Sequence, residues 1–495
     1  MSGSLFARLQ RRHGRVDGPS RRELLQGTLA AAAGLLLSRG AAAQDAPSAG
    51  SSKKRVIVVG AGFGGLSAAH ELHSVGYDVT VVEARNRIGG RVLSFADFVR
   101  GKTVEGGGEL VGSNHAAFVS YADKFGLEFL EMGESEDESP IVLDGKKLSA
   151  DESEALWKAL DEAAALMNDD ARAVDADQPW SSPNAAALDA RSTAEWIDAQ
   201  KLDPNCRRAL HALFASDNGV PTAWQSYLGQ LAQVKGGGVE KYWSDSETCR
   251  CKGGNQQLAM KLAATLPKER LILGAPAASI RMSDKGVLIG LADGRILEAD
   301  DVVLAVPPTT WRKIAFAPAL PGVLVPQMGT NLKILFAVKS RFWKEAKLSP
   351  DTLSDGPLSQ TWEGTDNQDG DEGASLHVFS GGLAAEQIRA WKAEERVDLA
   401  TAGLERVYKE LRKQTTGVRF MDWPGEPWTG AGYSFPAPGQ VTSVGPLLRA
   451  PYGPGGRMHF AGEHASYAFV GYMEGALQSG IAVAKRLAKR DGLVK

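Results

Sequence analysis

Apolar positions along this chain change period several times, and each change predicts an element. Residues 56–59, Val56-Ile57-Val58-Val59, are apolar without a break, as in a strand buried on both faces of a parallel sheet. Gly60, Gly62 and Gly65 follow in G-x-G-x-x-G spacing and open a helix-forming segment. A second apolar strand then closes at Glu83, twenty-three residues after Gly60. Residues 105–112 form another glycine-rich turn, with a helical pattern over 115–125. From 151 to about 243, Ala, Leu, Asp and Glu recur at helical spacing, broken at Pro179, Pro183, Pro204 and Pro221, which predicts a helical insertion roofing the site. A further helix opens at Gly253-Gly254. Short apolar runs at 271–273, 287–291, 302–304 and 333–338 predict strands, and 459–463 a strand with its turn. The Asp- and Gly-rich stretch 356–373 is expected to be a solvent loop, 394–412 a long helix and 475–488 a closing helix.

The first of these units is a dinucleotide site. Gly60 permits the tight turn, Gly62 lets backbone approach a pyrophosphate, and Gly65 allows close packing of helix on sheet. The helix N-terminus offers free N–H groups and a positive dipole end to the phosphates. Glu83 can accept bonds from a ribose diol, and an acid there argues against a 2′-phosphate. The glycine triad does not by itself separate FAD from NAD.

Composition narrows the class without naming a function. With 495 residues, 43% hydrophobic and 23% charged, the chain has the make-up of a soluble globular protein of two or more domains. A net charge of −3 gives no global case for nucleic acid or an anionic membrane. Three cysteines, Cys206, Cys249 and Cys251, do not make a disulfide framework, and no His/Cys/Asp cluster has metal-ligand spacing. Near the N-terminus, Ser20-Arg21-Arg22-Glu23-Leu24-Leu25 precedes an eleven-residue apolar segment, 27–37, and Ala41-Ala42-Ala43. That resembles a twin-arginine export signal, too short to span a bilayer. Export of a folded protein to the periplasm or beyond suits one that loads its cofactor in the cytoplasm.

The continuation of the dinucleotide unit is more specific than the glycines. Glu83-Ala84-Arg85 runs into Arg87-Ile88-Gly89-Gly90-Arg91, which resembles the extended fingerprint of the flavin-containing amine oxidase family. Three further segments carry the same resemblance: residues 305–314, residues 423–433, and Phe460-Ala461-Gly462-Glu463 with Gly471-Tyr472-Met473-Glu474-Gly475. The fold implied is α/β: a Rossmann-type FAD-binding domain interleaved with an α+β substrate domain, the amine oxidase and glutathione reductase-like FAD fold. Its expected divisions are a signal over 1–43, a linker over 44–52, FAD-binding pieces over 53–130, 250–310 and 425–490, and substrate-binding pieces over 131–249 and 311–424, with the helical insertion at 151–243.

The resemblance implies contact with noncovalent FAD by Gly60, Gly62, Phe63, Gly64, Gly65, Glu83, Ala84, Arg85, Gly89, Gly90 and Arg91, by Gly107, Gly108, Glu109 and Leu110 of the second glycine turn, by Ala277 and Trp428, and by Gly462, Glu463, Gly471, Tyr472 and Met473. Gly432 stands where monoamine oxidases with covalent FAD have a cysteine. Lys313 is assigned the family's role of holding a water against flavin N5. Tyr433 and Tyr472 match the pair of rings that orients an amine, with Glu109 and Leu110 also facing substrate. The implied reaction is oxidation of an amine with O2 reduced to H2O2; the partners are the amine, O2, the export machinery and a second copy in a homodimer. An L-amino-acid oxidase and a dehydrogenase with another acceptor are the alternatives. The first needs an arginine for the substrate carboxylate; the second glycine turn has none, which leaves Arg281, Arg341 or another to reach the pocket.

Replacing Arg21 and Arg22 together by lysine should hold the precursor in the cytoplasm, scored by fractionation and immunoblot. Undiminished export would mean another route.

Overall fold

The computed structural model describes residues 54–494 except 134 and 371. The expected signal and linker, 1–52, lie outside the described residues. The α/β fold is organised about a parallel five-stranded sheet with the spatial order Met458–Phe460, Asp301–Leu304, Arg55–Val59, Asp78–Val82, Leu271–Ile272. After the exposed Arg55, side chains of the central strand alternate between two buried faces, which is why Val56 to Val59 are all apolar. Val56 and Val58 pack with Leu66, Leu72, Leu477 and Ile481 of the helices Phe63–Ser74 and Met473–Arg490. Ile57 and Val59 pack with Ile280 and Ile289 of a four-stranded sheet on the other side.

The two helices cross closely because Gly480 has no side chain: a Cβ there would lie 2.1 Å from Ser67 Oγ and 2.3 Å from the Gly64 carbonyl. At its far end the last helix is pinned to the sheet by Arg490, whose two terminal nitrogens donate to Asp301 at 2.8 and 2.7 Å.

A seven-stranded, mostly antiparallel sheet forms the second layer, in the order Thr415–Met421, Asn331–Val338, Ala374–Gly381, Gln360–Glu363, Thr352–Ser354, Ile141–Leu143, Lys146–Lys147. The strand Asn331–Val338 is buried along its whole length. Its even-numbered residues Leu332, Ile334, Phe336 and Val338 face a helical cluster with Trp343, Ile388 and Leu404. The odd-numbered residues face the other way, so Lys333 is carried to the interior beside the first sheet.

Helices over 150–245 roof this layer. Two begin in reciprocal capping boxes, Ser149 with Glu152 and Ser192 with Glu195, and Pro204 opens a third behind its Asp203 cap. Two expectations fail. Residues 356–373 are not only solvent loop, because Gln360–Glu363 is a fully buried strand paired with Ala374–Gly381. The long helix over 394–412 is broken into Arg396–Leu404 and Leu411–Gln414. Among the described residues no helix is long and apolar enough to cross a membrane.

Glu474, in the first turn of the last helix, accepts the backbone N–H groups of Ala117 at 2.8 Å and Phe118 at 2.9 Å, capping the helix Ala116–Phe125 across the interface. Burial pushes its carboxyl from 4.5 up to about 7. The folded state therefore keeps this proton in a window where the unfolded chain has released it, and the group's contribution to stability declines as pH rises through that window. Glu474→Gln removes the titration, so its stability relative to the parent should improve by roughly 3 kcal/mol between pH 4.5 and pH 8 in denaturant melts. A pH-independent difference would contradict the shift.

Candidate active site

Between the two sheets lies a cavity whose empty space, with the solvent it opens to, is about 1170 Å³. One end is built by the turn after the first strand. Gly60 has φ +108°, and Gly62, in extended conformation, precedes the helix Phe63–Ser74, which no side chain caps. A Cβ on Gly62 would meet nothing nearer than the Gly90 Cα at 3.9 Å, so the backbone face is open to a ligand there. Glu83 is buried beside it; its two oxygens accept Ala61 N–H and Arg85 N–H, each at 2.8 Å. Each oxygen keeps a second lone pair, which suits a ribose diol. Gly89 N–H donates to the Ala61 carbonyl at 2.9 Å and ties the second glycine pair to the first turn.

Midway, Arg91 donates to Glu463 at 3.0 Å and to the Gly432 carbonyl. Glu463 also accepts from Ser434 Oγ and, at 2.9 Å, from Gly471 N–H. Its carboxylate is thus a brace joining three segments at the cavity wall.

The other end is aromatic, lined by Phe379, Tyr433 and Tyr472 together with Asn331, Lys333 and Met473. Both tyrosines are buried, and burial holds their phenols well above the ordinary range, so they are neutral. Tyr433 donates to the Asp217 carbonyl, and the Tyr472 hydroxyl stands 3.5 Å from that of Tyr242. The helix Met473–Arg490 starts here without a side-chain cap, so the cavity meets a helix N-terminus at each end.

Of the residues expected at the site, Gly60, Gly62, Phe63, Gly64, Glu83, Ala84, Arg85, Gly89, Gly90, Arg91, Gly107, Gly108, Trp428, Tyr433, Gly462, Glu463, Gly471, Tyr472 and Met473 line this one cavity. Five do not. Gly65 packs on the turn, where a Cβ would lie 1.9 Å from the Gly60 carbonyl. Leu110 is behind the wall in a cluster with Met132, Trp362, Phe379 and Tyr433. Ala277 opens a strand of the four-stranded sheet. Glu109 is buried and bonded to Lys333, His377 and Trp362, so it presents no free carboxylate to a cationic substrate.

Lys313 is the main correction. The segment Pro308–Lys313 is a short 3-10 helix whose buried members are Thr310 and Trp311; Lys313 is turned outward, over the Trp428 ring at 4.6 Å and onto the Pro427 carbonyl. The lysine that lines the cavity is Lys333. Asn331, Phe379 and Thr429 also line it and were not anticipated, whereas Trp423 lines it as a member of the segment 423–433. The signal for the first of these was present: Asn331 and Lys333 are alternate polar positions in an otherwise apolar strand.

Neither arginine considered for a substrate carboxylate reaches the cavity. Arg341 donates to Glu363 at 2.8 Å, and Arg281 is exposed on its strand. Cys206 and Cys251 are buried and the Cys249 thiol donates to the Val111 carbonyl at 3.2 Å, and among the described residues no group of side chains could hold a metal ion.

The family model for flavin containing amine oxidoreductases matches residues 63–488. The chain is 27% identical over 465 residues to an L-amino acid dehydrogenase of Synechocystis sp., covering 88% of this chain and 95% of that protein. It is 27% identical over 477 residues to amine oxidase [flavin-containing] B of Homo sapiens, covering 90% and 88%. Among solved structures, wild-type putrescine oxidase bound to putrescine matches with a TM-score of 0.79 at 26% identity, over 89% of this chain and 100% of that one. Cyclohexylamine oxidase from Brevibacterium oxydans matches with a TM-score of 0.79 at 27% identity, with the same coverage.

A Cβ at Gly432 would stand 2.7 to 2.8 Å from the Asn331 side chain, so the wall has no room for a cysteine unless Asn331 moves. Acid precipitation of the purified protein should therefore release its yellow chromophore to the supernatant. Colour retained in the pellet would show a covalent bond.

Proposed function

The chain belongs to the flavin-containing amine oxidoreductase family, and from that premise we propose that it oxidises the carbon–nitrogen bond of a small amine to an imine, which water then hydrolyses to a carbonyl product and ammonia or a smaller amine. FAD, the family's cofactor, supplies the two-electron redox chemistry when bound. The residues present fit it. Gly60 and Gly62 would bring backbone against its pyrophosphate, the uncapped helix at Phe63 would face that charge, and Glu83 would receive the ribose hydroxyls. Met473, at the N-terminus of the last helix, offers backbone N–H groups and a positive dipole end at the opposite limit of the cavity.

The observation that carries the substrate class is the aromatic end. Phe379, Tyr433 and Tyr472 give it apolar faces, and its one cationic side chain, Lys333, is bonded to Glu109. Such a pocket disfavours the ammonium form, so an amine reacts neutral without a strong protein base. The tyrosine rings supply electron-rich faces that orient it. A 2-amino acid would need a cation for its carboxylate. The guanidiniums lining the cavity, Arg85 and Arg91, are already bonded to Thr429 and Glu463. O2, with H2O2 as product, is the electron acceptor that the resemblance implies, and its suitability depends on the charge available at this end. Arg21, Arg22 and the apolar run 27–37 support action outside the cytoplasm.

Amines should exceed the matching L-amino acids as substrates by at least tenfold in kcat/KM, about 1.4 kcal/mol, in a panel of primary amines, diamines, polyamines and amino acids. Tyr433→Leu and Tyr472→Leu should each lower kcat/KM by a similar factor with FAD content preserved. Preference for the amino acid over its decarboxylated amine would overturn the substrate assignment.

A further inference from the structure

Lys333 has every ammonium hydrogen accounted for. Its Nζ donates to Glu109 Oε2 at 2.7 Å, to the Gly107 carbonyl at 3.0 Å and to the Glu105 carbonyl at 3.2 Å. Three donors meet three acceptors. Glu109 is equally engaged: Oε2 also accepts from His377 Nδ1 at 3.0 Å, while Oε1 accepts from Trp362 Nε1 at 3.0 Å and lies 3.2 Å from Arg250. Lys333 is 5% and Glu109 3% exposed, so water screens neither. Burial alone would raise the Glu109 carboxyl, but Lys333, His377 and Arg250 outweigh it and hold it well below the ordinary range. Burial also lowers His377, which is neutral here. Arg250 is balanced in turn by Asp366. The wall beside the aromatic end thus contains full charges that cancel.

This cancellation decides where electrons can go. The first electron given to O2 makes a small anion, and an unpaired cation at the site is what would stabilise that charge as it forms. A lysine 2.7 Å from a carboxylate supplies little net field. An organic acceptor of the quinone class spreads its added charge over a ring and two oxygens, and a flat, uncharged molecule suits a cavity end lined by Phe379, Tyr433 and Tyr472.

We propose that Glu109, by neutralising Lys333, suppresses electron transfer to O2 and makes this chain a dehydrogenase whose acceptor is a quinone-class compound. The amine loses two electrons and two protons in becoming an imine; the quinone gains both pairs and becomes a hydroquinone, and no oxygen is consumed. Glu109 acts through Lys333 and is a positioning residue. The proposal rests on FAD occupying the cavity and is independent of which amine is oxidised.

The test needs no substrate. Holoenzyme reduced anaerobically with dithionite is mixed in a stopped-flow instrument with O2 or with an equal concentration of a short-chain ubiquinone analogue, and flavin absorbance is followed. Parent enzyme should reoxidise at least tenfold faster with the quinone. Glu109→Gln should raise the O2 rate at least tenfold and shift the potential of bound FAD upward, and Glu109→Gln with Lys333→Met should reverse both changes. A merely structural role for Glu109 would not move the potential or be reversed at Lys333. An O2 rate in the parent equal to or above the quinone rate overturns the proposal, as does an unchanged O2 rate in Glu109→Gln. If that variant does not fold, the parent comparison alone still decides. If amines fail to reduce the enzyme while these half-reactions behave as stated, the substrate assignment falls and the acceptor proposal stands.

Discussion

Backbone without side chains, running the length of one cavity wall, is the constraint on which the rest of this structure depends. A long flat ligand with two phosphates can lie against main chain only where no Cβ intervenes, and Gly60, Gly62, Gly90, Gly107, Gly108, Gly462 and Gly471 all reach the lining. These glycines come from four separated segments, so the chain must return to the same wall again and again. The interleaving of the two layers follows from that requirement. Each return needs its own brace: Glu83 holds the first turn, Arg91 and Glu463 tie the middle to the end of the chain, and Glu474 caps the helix after the second glycine turn.

The same wall accounts for the helix ends. Side-chain caps at Ser149, Ser192 and Asp203 begin three of the roof helices, whereas no side chain caps the two helices that begin at the cavity, Phe63–Ser74 and Met473–Arg490. An uncapped N-terminus leaves N–H groups in need of an acceptor. At these two places bound FAD would supply the acceptor instead of the protein, and occupancy of the cavity would then add to the local order of both helices.

What the sequence made legible was local. The strand, glycine turn and Glu83 lie within a few tens of residues, and their steric logic can be stated without knowing the rest of the chain. The roof helices announce themselves by caps and prolines. Lys333 was hidden because its position depends on strand register and on a partner, Glu109, that is distant in the chain. Lys313 misled because the segment around it matches in residue type; Thr310 and Trp311 are its buried members, and a short 3-10 helix sends the next residues outward. The strand Gln360–Glu363 was missed because only Trp362 among its four residues is apolar. Its polar residues are buried with partners, Gln360 on Asp217 and Thr361 on Thr352, which no periodicity of hydrophobic positions reveals.

Burying five ionised side chains beside the aromatic end is costly, and well-packed apolar residues would often serve stability as well or better. The chain nevertheless places Glu109, Lys333, Arg250, Asp366 and Glu363 there, with their hydrogen bonds largely satisfied. Arg250 links the group by donating to the Glu363 carbonyl at 3.1 Å, and Arg341 balances the Glu363 carboxylate. A lysine alone at that wall would present a strong field in a dry site; a lysine paired as it is here keeps a fixed shape and three filled hydrogen bonds while presenting almost none. The position of the side chain and the charge it exerts are therefore set by different residues, the first by the register of the strand Asn331–Val338 and the second by Glu109. A change at Glu109 would therefore alter the charge presented to the cavity while leaving in place the strand register that positions Lys333.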